Sequence, residues 1–116
     1  MKALLLLLSL PTLAAAAPDP AALARGEALF HRPFDSGWSC ATCHTADPRQ
    51  PGRHTVTGRA LLPLAPAVNP ARFSDAAKVD KWFRRNCRDV LGRECSAQEK
   101  ADLTAWLGSL PAETLP

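Results

Sequence analysis

Five consecutive residues, Cys40-Ala41-Thr42-Cys43-His44, constrain this chain more than any other feature. At the Cys-x-x-Cys-His spacing two thiols can each add to a haem vinyl group, and the imidazole that follows lies beneath the iron as its proximal axial ligand. A chain with this motif folds around a flat macrocycle rather than closing a core from its own side chains alone. The motif predicts one covalently attached haem c, held by Cys40, Cys43 and His44.

Compartment decides how much weight the motif carries, because a cytosolic Cys-x-x-Cys is more often a redox dithiol or half of a zinc site. Here Lys2 precedes the apolar run Ala3 to Leu10, followed by Pro11 and the small residues Ala14 to Ala17. These read as the charged, apolar and cleavage regions of a secretory signal. Residues 1–16 are expected to be the signal peptide, cut after Ala16, and residues 17–116 the mature monohaem domain. The apolar run is too short to span a bilayer. No cysteine precedes Cys40, which excludes a lipid anchor at the cut. The expectation is a soluble, exported, periplasmic protein with no membrane span after cleavage.

About 100 residues remain, enough for one domain with a small core that a haem would enlarge. Losing Lys2 lowers the formal charge from +3 to +2, and two haem propionates offset even that. No basic footprint points to nucleic acid, and there is no internal repeat.

Apolar spacing predicts a helix over Ala21 to Phe34, with Leu23, Ala28, Leu29 and Phe30 facing inwards. Gly26 lies within it. Glycine costs a helix about 1 kcal/mol relative to alanine, so a close crossing by another helix best explains its presence. A second helix is predicted after the cap Ser74-Asp75, with Val79, Trp82, Phe83 and Asn86 on one face and Lys78, Lys81, Arg84, Arg85 and Arg88 on the others. A third opens at the capping box Ser96 to Glu99 and carries Leu103, Trp106, Leu107 and Leu110, with Leu103 and Trp106 placed to meet Gly26 and Phe30. Between Thr45 and Phe73 the prolines leave no period and no strand is predicted. So long a loop needs a purpose, and wrapping a cofactor edge is one. Leu61, Leu62, Leu64 and Val68 are candidates to face the macrocycle, and Arg53, Arg59 or Arg72 to meet propionates. The fold class is all-α, with three main helices and a long loop around a haem.

The Gly26-to-Phe30 helix, the attachment motif and an aromatic-bearing last helix together resemble class I c-type cytochromes. Most electron carriers of that class place a methionine sulfur on the iron. The only methionine here is Met1, which leaves with the leader. His31, His54, a lysine, an asparagine, water or nothing remain for the sixth position. Cys87 and Cys95, in an oxidising compartment, are expected to form a disulfide contributing roughly 2.5 kcal/mol. A zinc site built from all four cysteines lacks the short ligand spacing at the second pair. From the residues alone, Asn86 reads as a helix C-terminal or surface amide.

A longer string changes that reading. Lys81-Trp82-Phe83-Arg84-Arg85-Asn86-Cys87, continuing through Val90, Gly92, Arg93, Glu94 and Cys95 to Ala105-Trp106-Leu107, resembles the sphaeroides haem protein family, as do Pro63 to Pro66 and Arg72-Phe73. The resemblance implies an oxygen-binding c-type cytochrome. It makes His44 the proximal iron ligand, Asn86 the labile distal ligand of ferric iron, and Cys87–Cys95 a disulfide beside it. It further implies a dihaem c-type cytochrome, or a similar redox protein, as transient electron donor. The resulting expectation is that reduction releases Asn86 and lets ferrous haem bind O2, NO or CO. The alternatives are a permanently six-coordinate electron carrier, or a metal or dithiol module with Cys40 and Cys43 free. No side chain qualifies as a general acid, so no catalytic residue and no enzymatic turnover are assigned.

Overall fold

Asp19 starts the first helix by accepting a hydrogen bond from the Ala21 amide at 3.0 Å, with Pro20 preset for the first turn. Helix α1 then runs Pro20–His31. It stops short of the expected Phe34 because Pro33 disfavours helical backbone at Arg32, which is extended. The computed structural model describes Met1 and residues 4–13 and 17–113. The remaining elements are α2 (Cys40–His44), the short strands β1 (Gly52–Arg53) and β2 (Ala60–Leu61), α3 (Ala76–Leu91) and α4 (Ala97–Ser109). The architecture is helical, as predicted.

Helix α4 opens on the capping box read from the sequence: Ser96 Oγ accepts from the Glu99 amide at 3.1 Å and Glu99 Oε1 from the Ser96 amide at 2.9 Å. α4 packs against α1 at Gly26. A Cβ there would run into the Asp102 carbonyl oxygen and lie 2.8 Å from Trp106 Cβ, so only glycine permits this crossing. Phe30, Leu103, Trp106 and Leu107 form the buried core, with the Phe30 and Trp106 rings 5.1 Å apart. At its edge Arg25 grips buried Asp102 with two hydrogen bonds, Nε to Oδ2 at 2.8 Å and Nη2 to Oδ1 at 3.1 Å. The guanidinium holds the Asp102 carboxyl below its usual range.

The proline-rich loop contains a strand pair that sequence reading did not predict. β1 and β2 pair antiparallel, Gly52 with Leu61 and Arg53 with Ala60, and two residues per strand are too few to show an alternating pattern. Pro48 is fully buried, and its carbonyl accepts from the Leu64 and Ala65 amides at 2.9 and 3.1 Å. These bonds fold the far half of the loop back onto the near half.

Helix α3 begins where Asp75 Oδ1 accepts from the Ala77 and Lys78 amides. Its only buried residue is Cys87, which is disulfide-bonded to Cys95. Residues 4–13 are exposed and in neither helix nor strand. The predicted cut after Ala16 lies outside the described residues. Among the described residues no helix is long and apolar enough to cross a membrane.

Candidate haem site

The motif forms a single helical turn. Thr42, one of its two variable residues, caps that turn, its Oγ1 accepting from the Ser39 amide at 2.9 Å. Cys40, Cys43 and His44 stand at i, i+3 and i+4 and so project from one face of α2. Immediately after His44 the chain turns sharply through Thr45, at φ 65° and ψ 167°, a region that strongly favours glycine. β1 lies directly against the motif backbone. A Cβ on Gly52 would collide with the Cys43 carbonyl oxygen and sit 3.0 Å from His44 Cα. Sequence reading took Thr45 to Phe73 as one long loop and gave no sign of this contact.

Burial sets the chemistry of the three side chains. It pushes the Cys40 thiol up to about 11, and it lowers His44 to about 4, helped by the nearby charges of Arg72 and His54. At neutral pH His44 is therefore a neutral imidazole with a lone pair to give, the form a metal binds. Cys40 and Cys43 are free and half-buried. The Cys43 sulfur lies 3.4 Å from the Thr55 amide, which donates to it, and 3.2 Å from Thr55 Oγ1.

What surrounds the motif suits a large apolar cofactor. Cys40 and Ala41 from α2, Leu64 and Phe73 from the loop, and Phe83 from α3 all pack against the α1–α4 core, yet each is only partly buried. At about 3.6 residues per turn, Val79, Phe83, Asn86 and Val90 share one face of α3. None of them is fully buried, and Trp82 beside them is 47% exposed. A strongly amphipathic helix whose apolar face is only partly covered by protein calls for an apolar partner there. Two free thiols, a neutral imidazole and this face together fit a thioether-linked haem. Cys40, Cys43 and His44 would hold it.

Asn86 is exposed on α3, immediately before the buried Cys87. Among the described residues no protein group hydrogen-bonds its amide, so it is free to accept another partner. Of the other histidines, His31 is engaged at both ring nitrogens and His54 at one. His31 has Nδ1 at 2.9 Å from the Glu27 carbonyl and Nε2 at 2.8 Å from the Ala46 carbonyl, so both ring nitrogens are turned to backbone. His54 Nδ1 accepts from the Val56 and Thr57 amides at 3.2 and 3.1 Å.

The molecule's likeness to known proteins agrees with this site. A family model described as a domain of unknown function (DUF1924) matches residues 16–107. The chain is 50% identical over 99 residues to the cytochrome c-type protein SHP of Cereibacter sphaeroides, covering 82% of this chain and 76% of that protein. Over 86 residues it is 45% identical to cytochrome c'' of Methylophilus methylotrophus, covering 71% of this chain but only 60% of that relative. The solved structure of oxidized SHP, an oxygen-binding cytochrome c, superposes with a TM-score of 0.71 at 48% identity, covering 76% of this chain and 81% of that one. Oxidized cytochrome c'' gives 0.68 at 42% identity, covering 75% and 74%. The chain belongs to the sphaeroides haem protein family of c-type cytochromes, whose cofactor is covalently bound haem c.

Proposed function

We propose that the chain is an exported monohaem cytochrome in which electron transfer opens a ligand-binding position. Residues 1–16 are its signal peptide, and residues 17–116 are the periplasmic domain. The haem, when bound, would supply a one-electron couple and an iron that side chains could ligate. Cys40 and Cys43 would tether it, and His44 would offer its neutral imidazole to the iron. Asn86 would offer the iron a neutral amide. An amide oxygen is a hard, weak donor, accepted by ferric iron and released by ferrous iron. Release of Asn86 would leave the iron able to bind O2, NO or CO. The disulfide at Cys87 pins the backbone next to Asn86, so that release is a side-chain movement and α3 stays in place.

The observation that carries this reading is the partly covered apolar face of α3, which presents Asn86 in a chain whose only methionine is Met1. Likeness to a protein described as oxygen-binding supports the choice of ligand. On the opposite side of α3 lie Lys78, Lys81, Arg84, Arg85 and Arg88. This basic face suits brief docking with an acidic redox protein, a dihaem c-type cytochrome being the proposed donor.

Carbon monoxide tests the open position. The reduced protein is expected to change its visible spectrum on adding the gas, while haem staining after denaturation shows that the cofactor is covalently attached. A low-spin ferrous spectrum unmoved by carbon monoxide would instead identify a six-coordinate electron carrier.

A further inference from the structure

The last carbonyls of a helix find no partner inside it and must be met from elsewhere. At the C-terminal end of α3 the Gly92 amide donates to the Arg88 carbonyl at 3.1 Å. The Val90 carbonyl is met from far off in sequence, where Ser36 Oγ donates to it at 2.7 Å across 54 positions. Among the described residues, this is the one hydrogen bond that ties α3 to the half of the chain carrying the attachment motif. Every other hydrogen bond α3 makes beyond its own turns goes to Asp75, Gly92 or Glu94.

Ser36 is itself held in a tight turn. The Gly37 amide donates to the Phe34 carbonyl at 2.8 Å, and the Phe34 amide to the Trp38 carbonyl at 3.0 Å. Gly37 has φ 82°, a left-handed conformation that glycine adopts without steric cost. The Trp38 amide donates to Ser36 Oγ at 3.1 Å, which leaves the hydroxyl's own proton for Val90. Ser39 and Cys40 follow directly, so the turn is a short strut from the attachment helix α2 to the end of α3. Val90 lies one helical turn beyond Asn86 on the same face. Asn86 is therefore followed within a turn by two fixed points: Cys87, bonded to Cys95 just before α4, and Val90, bonded to the attachment side.

We propose that Ser36 is a positioning residue for Asn86. Its bond to Val90 holds the end of α3 against the attachment turn and so sets how firmly Asn86 is presented to the iron. The proposal rests on the reading of Asn86 as the distal ligand. Without the bond the last turn of α3 opens more often, and a side chain carried there competes less well with an added ligand.

The test titrates cyanide into the ferric holoprotein and follows the visible spectrum, after haem staining shows the cofactor attached in each variant. Ser36→Ala is expected to bind cyanide roughly fivefold more tightly, the scale of one neutral hydrogen bond withdrawn from the competing Asn86. Ser36→Thr keeps the hydroxyl and should stay near the parent. Ser109→Ala removes a comparable 2.6 Å bond, to the Trp106 carbonyl in α4, and should change nothing. Amide exchange from Cys87 to Leu91 should quicken in Ser36→Ala alone of the three. In an Asn86→Ala background, Ser36→Ala should have no further effect on cyanide, whereas a merely structural loosening would still show. An unchanged affinity in Ser36→Ala, unchanged exchange, or an equal effect with Asn86 absent would overturn the proposal. So would loss of haem from Ser36→Ala, which would assign the turn to attachment. If Asn86→Ala alone leaves cyanide affinity at the parent value, the distal-ligand reading itself falls, and the proposal with it.

Discussion

Helices α1 and α4 complete each other, whereas α3 does not complete itself against any other helix. α1 and α4 meet at Gly26, bury Phe30, Leu103, Trp106 and Leu107, and lock their edge with Arg25 and Asp102. α3 is the longest helix, yet it buries only Cys87, and it is held by a disulfide, a cap and the partial packing of Phe83. The difference separates two kinds of amphipathic surface. One is satisfied by the chain's own side chains, and the other is the face that the proposed haem would cover. The residue proposed to move, Asn86, belongs to the second.

This contrast breaks first at Gly26. Gly26→Val should cost the holoprotein about 3 kcal/mol, read from the denaturant midpoint, because a branched side chain would force α1 away from the Asp102 backbone. A loss under about 1 kcal/mol would mean that the crossing yields easily, and the two regions would no longer differ in rigidity. The disulfide is the next largest effect. Replacing Cys87 and Cys95 together by Ser should cost roughly 2.5 kcal/mol on the chain-entropy model. It should also change carbon monoxide binding rates to ferrous protein, since the constraint sits beside Asn86. A stability loss with unchanged rates would uncouple the disulfide from the distal side.

The smallest effect belongs to α4. The Arg93 side chain, and then the Ser96 amide, hold Glu99 at about 2 against an ordinary value of 4.5. Because the folded value is lowered, this contribution is fully present above pH 4.5 and fades as pH falls towards 2. The pair is on the surface, so the contribution is at most about 1 kcal/mol. Urea midpoints measured from pH 6 to pH 2 should therefore fall less steeply in Glu99→Gln, which keeps a capping-box acceptor but cannot titrate. Identical slopes would remove Glu99 from the acid response.

Legibility in the sequence followed the range of each interaction. The capping box at Ser96 and Glu99 spans one turn, so both partners are visible at once. Gly26 announced a helix crossing because glycine in a helix asks for a reason, and the aromatic stripe of α4 offered a partner. The Arg25–Asp102 grip was not visible, since the two residues are 77 positions apart and neither carries a local signal. The end of α1 was misjudged although Pro33 marked it, because apolar Phe34 continued the helical pattern. Within the site, the haem-attachment turn is a local pattern and readable. Its supports are not: Gly52 against the motif backbone, Thr45 at positive φ and the Ser36 bond to Val90 all arise from tertiary approach. Before folding, Arg53, Arg59 and Arg72 look alike. Only the fold leaves Arg72 partly buried and the other two exposed.

The central claim is that α3 supplies the iron's distal ligand through Asn86. The ferric spectrum of Asn86→Ala, with haem attachment and the Cys87–Cys95 bond verified, tests it most directly. The account predicts a ferric iron that turns high-spin or takes up water while the haem stays covalently bound. A ferric spectrum identical to that of the parent protein would contradict it.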